Sequence, residues 1–292
     1  MFNKLKNAYL TIRFQHCTKN LLVFLPVIAS HNFEYYFLKI SFLCFLCMTA
    51  ITFGTYFFND IVDINHDRAH PLKKYRPIAA GELKIFEGFI IGTFLILISL
   101  GFSMLINNKL FFALCAYLII SIIYSLFLKK IIWLDAAVLS SLFAIRIIVG
   151  NFGTEIPLSF WLLGFAVPLF FALALIKRLA EIINIDEISK LIGRGYRSRD
   201  KLTVNRVVMF SSAICIVILL LYSFSESATK LYSSNILVSF VSLVIAFWLY
   251  RIISITNLGQ MKYDPVLFAL TDKISYVYGI VVIILLYLAK IL

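Results

Sequence analysis

Apolar residues run along this chain in long unbroken stretches, with no sustained alternation of hydrophobic and polar positions. Nine stretches stand out, at residues 10–30, 37–58, 85–106, 110–128, 133–151, 158–176, 204–224, 233–250 and 274–292. Each has about 18 residues or more, enough to cross roughly 30 Å of hydrocarbon as a helix. A lipid-exposed backbone must satisfy its own hydrogen bonds, so each is predicted to be helical. The predicted fold class is therefore all-α: a polytopic membrane protein with nine transmembrane helices. The first stretch follows basic residues as a signal peptide would, but it is long, contains Pro26 and shows no small-residue cleavage site, so it is read as a retained span.

Short connections, such as residues 107–109 and 152–157, alternate with longer charged ones at 59–84 and 177–205. The two longest recur four spans apart, a hint of duplicated halves. With no low-complexity tract or flexible linker, residues 1–292 read as a single domain.

Composition supports this pattern: 62% of residues are hydrophobic, 14% are charged, and mean hydropathy is +0.95. Such a chain has no polar surface with which to enclose a water-soluble core. The net charge of +12 could suit a nucleic-acid binder, but its distribution argues against that. Most Lys and Arg residues fall in alternate connections, leaving only Lys39, Lys109, Lys230 and Lys290 in the others and Arg146 inside a span. This is the positive-inside bias. It predicts a multi-pass protein of a bacterial cytoplasmic (inner) membrane, with the N-terminus cytoplasmic, the C-terminus outside and no nucleic-acid partner. Cys44 and Cys47 form a CxxC within the second stretch, where they are expected to pack as small apolar residues.

The candidate chemistry lies where the second stretch ends. Asp60, Asp63 and Asp67 are spaced to share one helical face, with Asn59 one turn before Asp63. Carboxylates so arranged repel one another unless a cation lies between them, and hard oxygen donors favour Mg²⁺, with Mn²⁺ as the alternative. Mg²⁺ commonly bridges one or two carboxylates to substrate phosphates. Arg68, Lys73, Lys74 and Arg76 follow closely, as expected beside a metal-bridged diphosphate. The alternative for these cations is attraction to anionic lipid, which would not need the aspartates.

Residues 59–81 read NDIVDINHDRAHPLKKYRPIAAG. This resembles the NDxxDxxxD motif of the UbiA superfamily of membrane prenyltransferases, and its continuation is similar to the decaprenyl-phosphate phosphoribosyltransferase branch. Further similarity lies in Tyr124 to Lys129 with Leu134, Asp135 and Arg146; in KRLAE from Lys177 to Glu181 with Arg194, Gly195 and Tyr196; and in Asp264, Pro265 and Val266 with Thr271, Asp272 and Lys273. The resemblance covers nearly the whole chain and implies a UbiA-type bundle with a cytoplasmic-facing cavity. Where conventional members carry a second Asp-rich motif, this chain has KRLAE, with Glu181 and Asp186 the nearest carboxylates. The family's N-terminal RPxQWxKN is reduced here to Arg13, Lys19 and Asn20.

The resemblance implies transfer of phosphoribose from phosphoribosyl diphosphate (PRPP) to a polyprenyl phosphate, for cell-envelope glycan synthesis. Asp60, Asp63 and Asp67 would be the metal-binding and catalytic residues. Candidate substrate contacts are Lys19, Asn59, Arg68, His70, Lys73, Arg76, Tyr124, Lys129, Arg146, Lys177, Arg178, Glu181, Arg194 and Tyr196. Arg197 adds to the basic surface after the sixth stretch; for it, as for its neighbours, the alternative role is to fix topology. For Arg146 the readings are a phosphate contact and an internal ion pair. His66 is expected to be solvated. Two other functions fit less of the sequence: prenyl transfer from an allylic diphosphate to an aromatic acceptor, and ion-coupled transport. Homo-oligomerisation is left open.

Overall fold

The computed structural model describes residues 14–69, 73–184, 194–261 and 264–292. Every regular element among them is helical. Eight helices are long and apolar enough to cross a membrane: α1 (Tyr35–Val62), α2 (Ile85–Ile106), α3 (Asn108–Leu126), α4 (Leu134–Thr154), α5 (Phe160–Ile183), α6 (Lys201–Ser223), α7 (Asn235–Asn257) and α8 (Lys273–Ile291). These are the last eight predicted spans, shifted by a few residues. The ninth, expected at residues 10–30, appears among the described residues as a 3₁₀ segment, Phe14–Phe24, followed by a short α-helix, Leu25–Ala29, with Pro26 in its first turn.

Helix starts follow local chemistry. The Asn107 side chain accepts from Lys109 N at 2.7 Å before α3, Ser159 from Leu162 N at 3.2 Å before α5, and Asp272 from Ser275 N at 2.7 Å before α8. Each satisfies a donor that the first helical turn would leave unpaired. Helix ends differ more from expectation. α1 runs past the apolar stretch to include Asp60, and α5 runs past Ile176 to include Lys177, Arg178 and Glu181.

The described chain divides into two compact units: residues up to Leu128 with Ile145–Leu158, and Lys129–Ala144 with Ser159–Leu292. The first contains α1 to α3 and the second half of α4. Here α1 and α2 pack nearly backbone to backbone. A Cβ on Gly54 would lie 2.6 Å from Ile96 Cγ1 and 2.8 Å from the Gly92 carbonyl oxygen, so only glycine permits this approach. Ser99 Oγ donates to the Cys47 carbonyl at 2.7 Å across the same interface. At one end Phe57, Ile78 and Leu83 form a fully buried cluster with Ile61, Ile64, Ile91 and Leu95 around it, fastening the turn before α2 onto both helices.

The second unit contains the first half of α4 and α5 to α8. Phe143 stacks on Phe170 with ring centroids 4.7 Å apart, and Ser140 Oγ donates to the Val167 carbonyl at 2.7 Å. Arg251 on α7 makes a two-pronged pair with Asp272 at the start of α8, at 2.7 and 3.0 Å, while Trp248 Nε1 donates to Ser275 Oγ at 3.1 Å.

Candidate active site

The acidic motif is bent by its own helix end. α1 stops at Val62, Asp63 takes the capping position with φ −91° and ψ 8°, and a second short helix spans Ile64–Ala69. Asp60 and Asp67 are almost completely buried, whereas Asp63 at the junction is half-buried. Among the described residues, no group of three or more His, Cys, Asp or Glu side chains is gathered as a ready metal site. Instead, Asp60 and Asp67 converge on one atom: Arg76 Nη1 lies 3.1 Å from Asp60 Oδ1 and 2.5 Å from Asp67 Oδ2. Two buried hard-oxygen donors drawn to one cationic position suit a divalent ion chemically.

The backbone that delivers Arg76 is fixed. Arg76 N donates to the Lys73 carbonyl at 3.0 Å, its own carbonyl accepts from Ala80 N at 2.7 Å, and Leu83 N donates to the Pro77 carbonyl at 3.0 Å. Gly81 closes the turn at φ 79°, a conformation that disfavours side chains. Arg68 Nε donates to the Ala79 carbonyl at 3.1 Å, tying the short acidic helix to the turn. Lys73 and Lys74 remain exposed, as does His66; Asn59 is half-buried.

Elsewhere in this unit Arg146 is buried in a polar network. Its Nε donates to Asn20 Oδ1 at 2.9 Å and its Nη2 to Tyr117 Oη at 3.2 Å, and its guanidinium centre lies 5.1 Å from the Tyr117 ring centroid. Asn20 also donates to Thr49 Oγ1 at 3.1 Å, and Tyr117 Oη accepts from Thr52 Oγ1 at 3.4 Å. Lys19 and Tyr124 are half-buried. Tyr117 was not expected in this role, and nothing in its sequence context distinguishes it from the other aromatic residues of the spans.

In the second unit the basic residues gather on Asp135, which is wholly buried. Arg178 Nε reaches Asp135 Oδ2 at 2.5 Å and Arg194 Nη1 reaches Asp135 Oδ1 at 2.5 Å, while Arg178 also pairs with Glu181. Arg178 is itself 1% exposed, so it acts here as a strut; Arg194 retains an accessible face. The segment following Arg194 docks on the turn before α4. A Cβ on Gly195 would lie 2.6 Å from the Lys130 carbonyl oxygen, and buried Tyr196 accepts from Trp133 N at 3.3 Å. Burial pushes the Tyr196 phenol above its ordinary pKa, with neighbouring Asp135 adding to the rise and Arg178, Arg194 and the Trp133 hydrogen bond opposing it. Trp133 adopts φ 70°, unusual for a bulky residue, and is held there by this contact.

Lys177 pairs with Asp264 at 2.9 Å. Lys129 is half-buried and Arg197 exposed. His70, Arg13 and Asp186 lie outside the described residues. Arg178 and Arg194 were expected as substrate contacts and Asp135 was not, although a lone carboxylate opening an apolar span carries a readable signal of importance; that the two arginines would pair with it left no trace in the sequence.

Residues 21–258 match the UbiA prenyltransferase family. The chain belongs to that family, and with eight long apolar helices among the described residues it is a multi-pass membrane protein. It is 32% identical over 273 residues to the uncharacterized protein y4nM of Sinorhizobium fredii, covering 92% of this chain and 53% of y4nM, so it spans about half that protein's length. It is 32% identical over 270 residues to the nodulation protein NoeC of Azorhizobium caulinodans, covering 90% of this chain and 86% of NoeC. It is 31% identical over 224 residues to the decaprenyl-phosphate phosphoribosyltransferase of Mycolicibacterium smegmatis, covering 74% and 69%. The fold matches a UbiA homologue from Archaeoglobus fulgidus bound to geranyl diphosphate (GPP) and Mg²⁺, with TM-score 0.71, 15% identity and coverage of 97% and 98%.

Proposed function

We propose that this chain transfers the 5-phosphoribosyl group of PRPP to a polyprenyl phosphate. The bond from ribose C1 to the diphosphate oxygen breaks, a bond from C1 to an oxygen of the lipid phosphate forms, and diphosphate leaves. The observation that carries this reading is the convergence of Asp60 and Asp67 on one cationic position. It is supported by relatives named decaprenyl-phosphate phosphoribosyltransferase and by KRLAE standing where a second acidic motif would serve an allylic diphosphate.

Asp60, Asp63 and Asp67 would hold Mg²⁺, or Mn²⁺ in its place, which when bound neutralises the departing diphosphate. Arg68, Lys73 and Arg76 would add positive charge where negative charge develops. Arg194, held on Asp135 with one face open, binds a phosphate group, with Arg178 and Glu181 acting through that arrangement. A lipid phosphate has a second pKa of about 6 and is already largely ionised at neutral pH, so no general base is required. The positive-inside bias of the connections supports a reading in which this chemistry lies at the cytoplasmic face of an inner membrane, with the product serving as a donor for cell-envelope glycans.

Purified protein incubated with radiolabelled PRPP, polyprenyl phosphate and Mg²⁺ is expected to give a labelled lipid. Asp60→Ala and Asp63→Ala should each abolish it while leaving the protein folded and inserted in the membrane. Absence of labelled lipid, together with alkylation of an aromatic acceptor by an allylic diphosphate, would assign the site to prenyl transfer instead.

A further inference from the structure

We propose that Arg76 is the resting counter-ion of the metal position: it occupies the place between Asp60 and Asp67 until a divalent ion arrives, then turns onto the anionic leaving group, so that metal and diphosphate bind cooperatively. This rests on the reading of Asp60 and Asp67 as metal ligands. Arg76 Nη1 carries two N–H groups, one for each carboxylate. Here a single nitrogen, Nη1, contacts both, at 3.1 and 2.5 Å. Positive charge therefore stands between the two carboxylates that would hold the metal.

The two aspartates are 2% and 3% exposed, so they cannot rely on water to offset their charge. An uncompensated buried carboxylate is strongly unfavourable, and Arg76 supplies the compensation when no ion is bound. A divalent ion that bridges the same oxygens must displace Nη1, because two cations at that spacing repel across a poorly screened site. The exchange needs no backbone movement. Ile78 and Leu83 anchor the turn in the core, the Arg76 main chain is hydrogen-bonded on both sides, and the side chain is one-fifth exposed, leaving it an open direction. Once displaced, Arg76 is best satisfied by an anion. Diphosphate provides one, and so lowers the cost of metal entry. By linkage the metal must raise diphosphate affinity by the same factor.

The test uses the purified full-length protein in detergent, with Mn²⁺ as the probe, followed by electron paramagnetic resonance with and without inorganic diphosphate. The free Mn²⁺ concentration is corrected for chelation. Wild type should bind Mn²⁺ weakly alone and about tenfold or more tightly with diphosphate, within the usual range of coupling between sites. Arg76→Gln should bind Mn²⁺ alone about tenfold more tightly than wild type and lose most of the diphosphate dependence, whereas Arg76→Lys, which keeps the cation, should resemble wild type. Equal Mn²⁺ affinity in wild type and folded Arg76→Gln overturns the inference and leaves the metal assignment standing. Absence of Mn²⁺ binding in every protein, with or without diphosphate, overturns both.

A second measurement needs no variant. Mn²⁺ without diphosphate should increase phenylglyoxal modification of Arg76 several-fold in wild type, read by peptide mass spectrometry. Modification that is unchanged while Mn²⁺ is demonstrably bound overturns the inference even if Arg76→Gln fails to fold.

Discussion

In the first unit two buried aspartates share one guanidinium, whereas in the second one buried aspartate is shared by two. Arg178 also pairs with Glu181, so the second cluster is a run of alternating charges from Arg194 through Asp135 and Arg178 to Glu181, whereas in the first a single cation stands between two carboxylates. Exposure reinforces the contrast. Arg76 and Arg194 each keep about a fifth of the side chain accessible, at 21% and 23%, so each can turn toward a ligand; Arg178, at 2%, cannot. Each cluster thus combines a buried anchor with a movable cation, but in a different arrangement of charges.

The comparison fails if the two anchors behave alike when removed. Asp135→Ala leaves a guanidinium buried with half of its compensation gone, and should cost about 3–5 kcal/mol of stability. Asp60→Ala should cost less, because Arg76 keeps Asp67 and can relax toward solvent, even though it abolishes turnover. Thermal unfolding of both variants in the same detergent gives the answer, and equal losses would erase the distinction between anchor and ligand.

A smaller effect sharpens the picture of how Arg194 is held. Tyr196→Phe removes the acceptor for the Trp133 backbone N–H and should cost about 1 kcal/mol. Because that contact fixes the turn that presents Arg194, the KM for the anionic substrate should rise with little change in kcat. A change confined to kcat would show that Tyr196 belongs to the chemistry itself.

The smallest effect belongs to an ion pair outside both clusters. Burial tends to raise the Asp272 pKa, but hydrogen bonds from Arg251 and Ser275 and the Arg251 charge outweigh it and hold the carboxyl below the ordinary range. Its contribution to stability is therefore present above about pH 4, where an unfolded aspartate is ionised, and is lost as pH falls through its own lower value. Asp272→Asn should remove that acid-side dependence at a cost of about 1 kcal/mol or less at neutral pH, with transfer activity unchanged. Unfolding measured between pH 3 and 7 checks the sign.

Much of the architecture was legible in the sequence because membrane spans announce themselves by length. Residues 85–106 were read to the residue as α2. The misplacements share one physical cause. Hydropathy falls where α1 reaches Asp60 and where α5 reaches Arg178, yet both helices continue because each charged side chain finds an opposite charge from elsewhere in the chain. That compensation depends on packing and leaves no local trace. The first stretch was read as a retained helical span; its 3₁₀ form accompanies contacts of Asn20 with Thr49 and Arg146, distant in sequence, that hydropathy does not register. Spacing placed Asp60 and Asp67 on one face, but it did not foretell that the helix would end at Asp63, nor that Arg76 would return from beyond the acidic helix to join the pair.

The near contact of Gly54 with Gly92 bears on how the acidic end would respond to its lipid surroundings. Helices that meet through backbone atoms have little room to slide or pivot against each other. A bilayer thicker or thinner than their apolar length would then tilt α1 and α2 as one piece. The turn fastened to both would tilt with them, so Asp60, Asp67 and Arg76 would keep their spacing in membranes of different thickness.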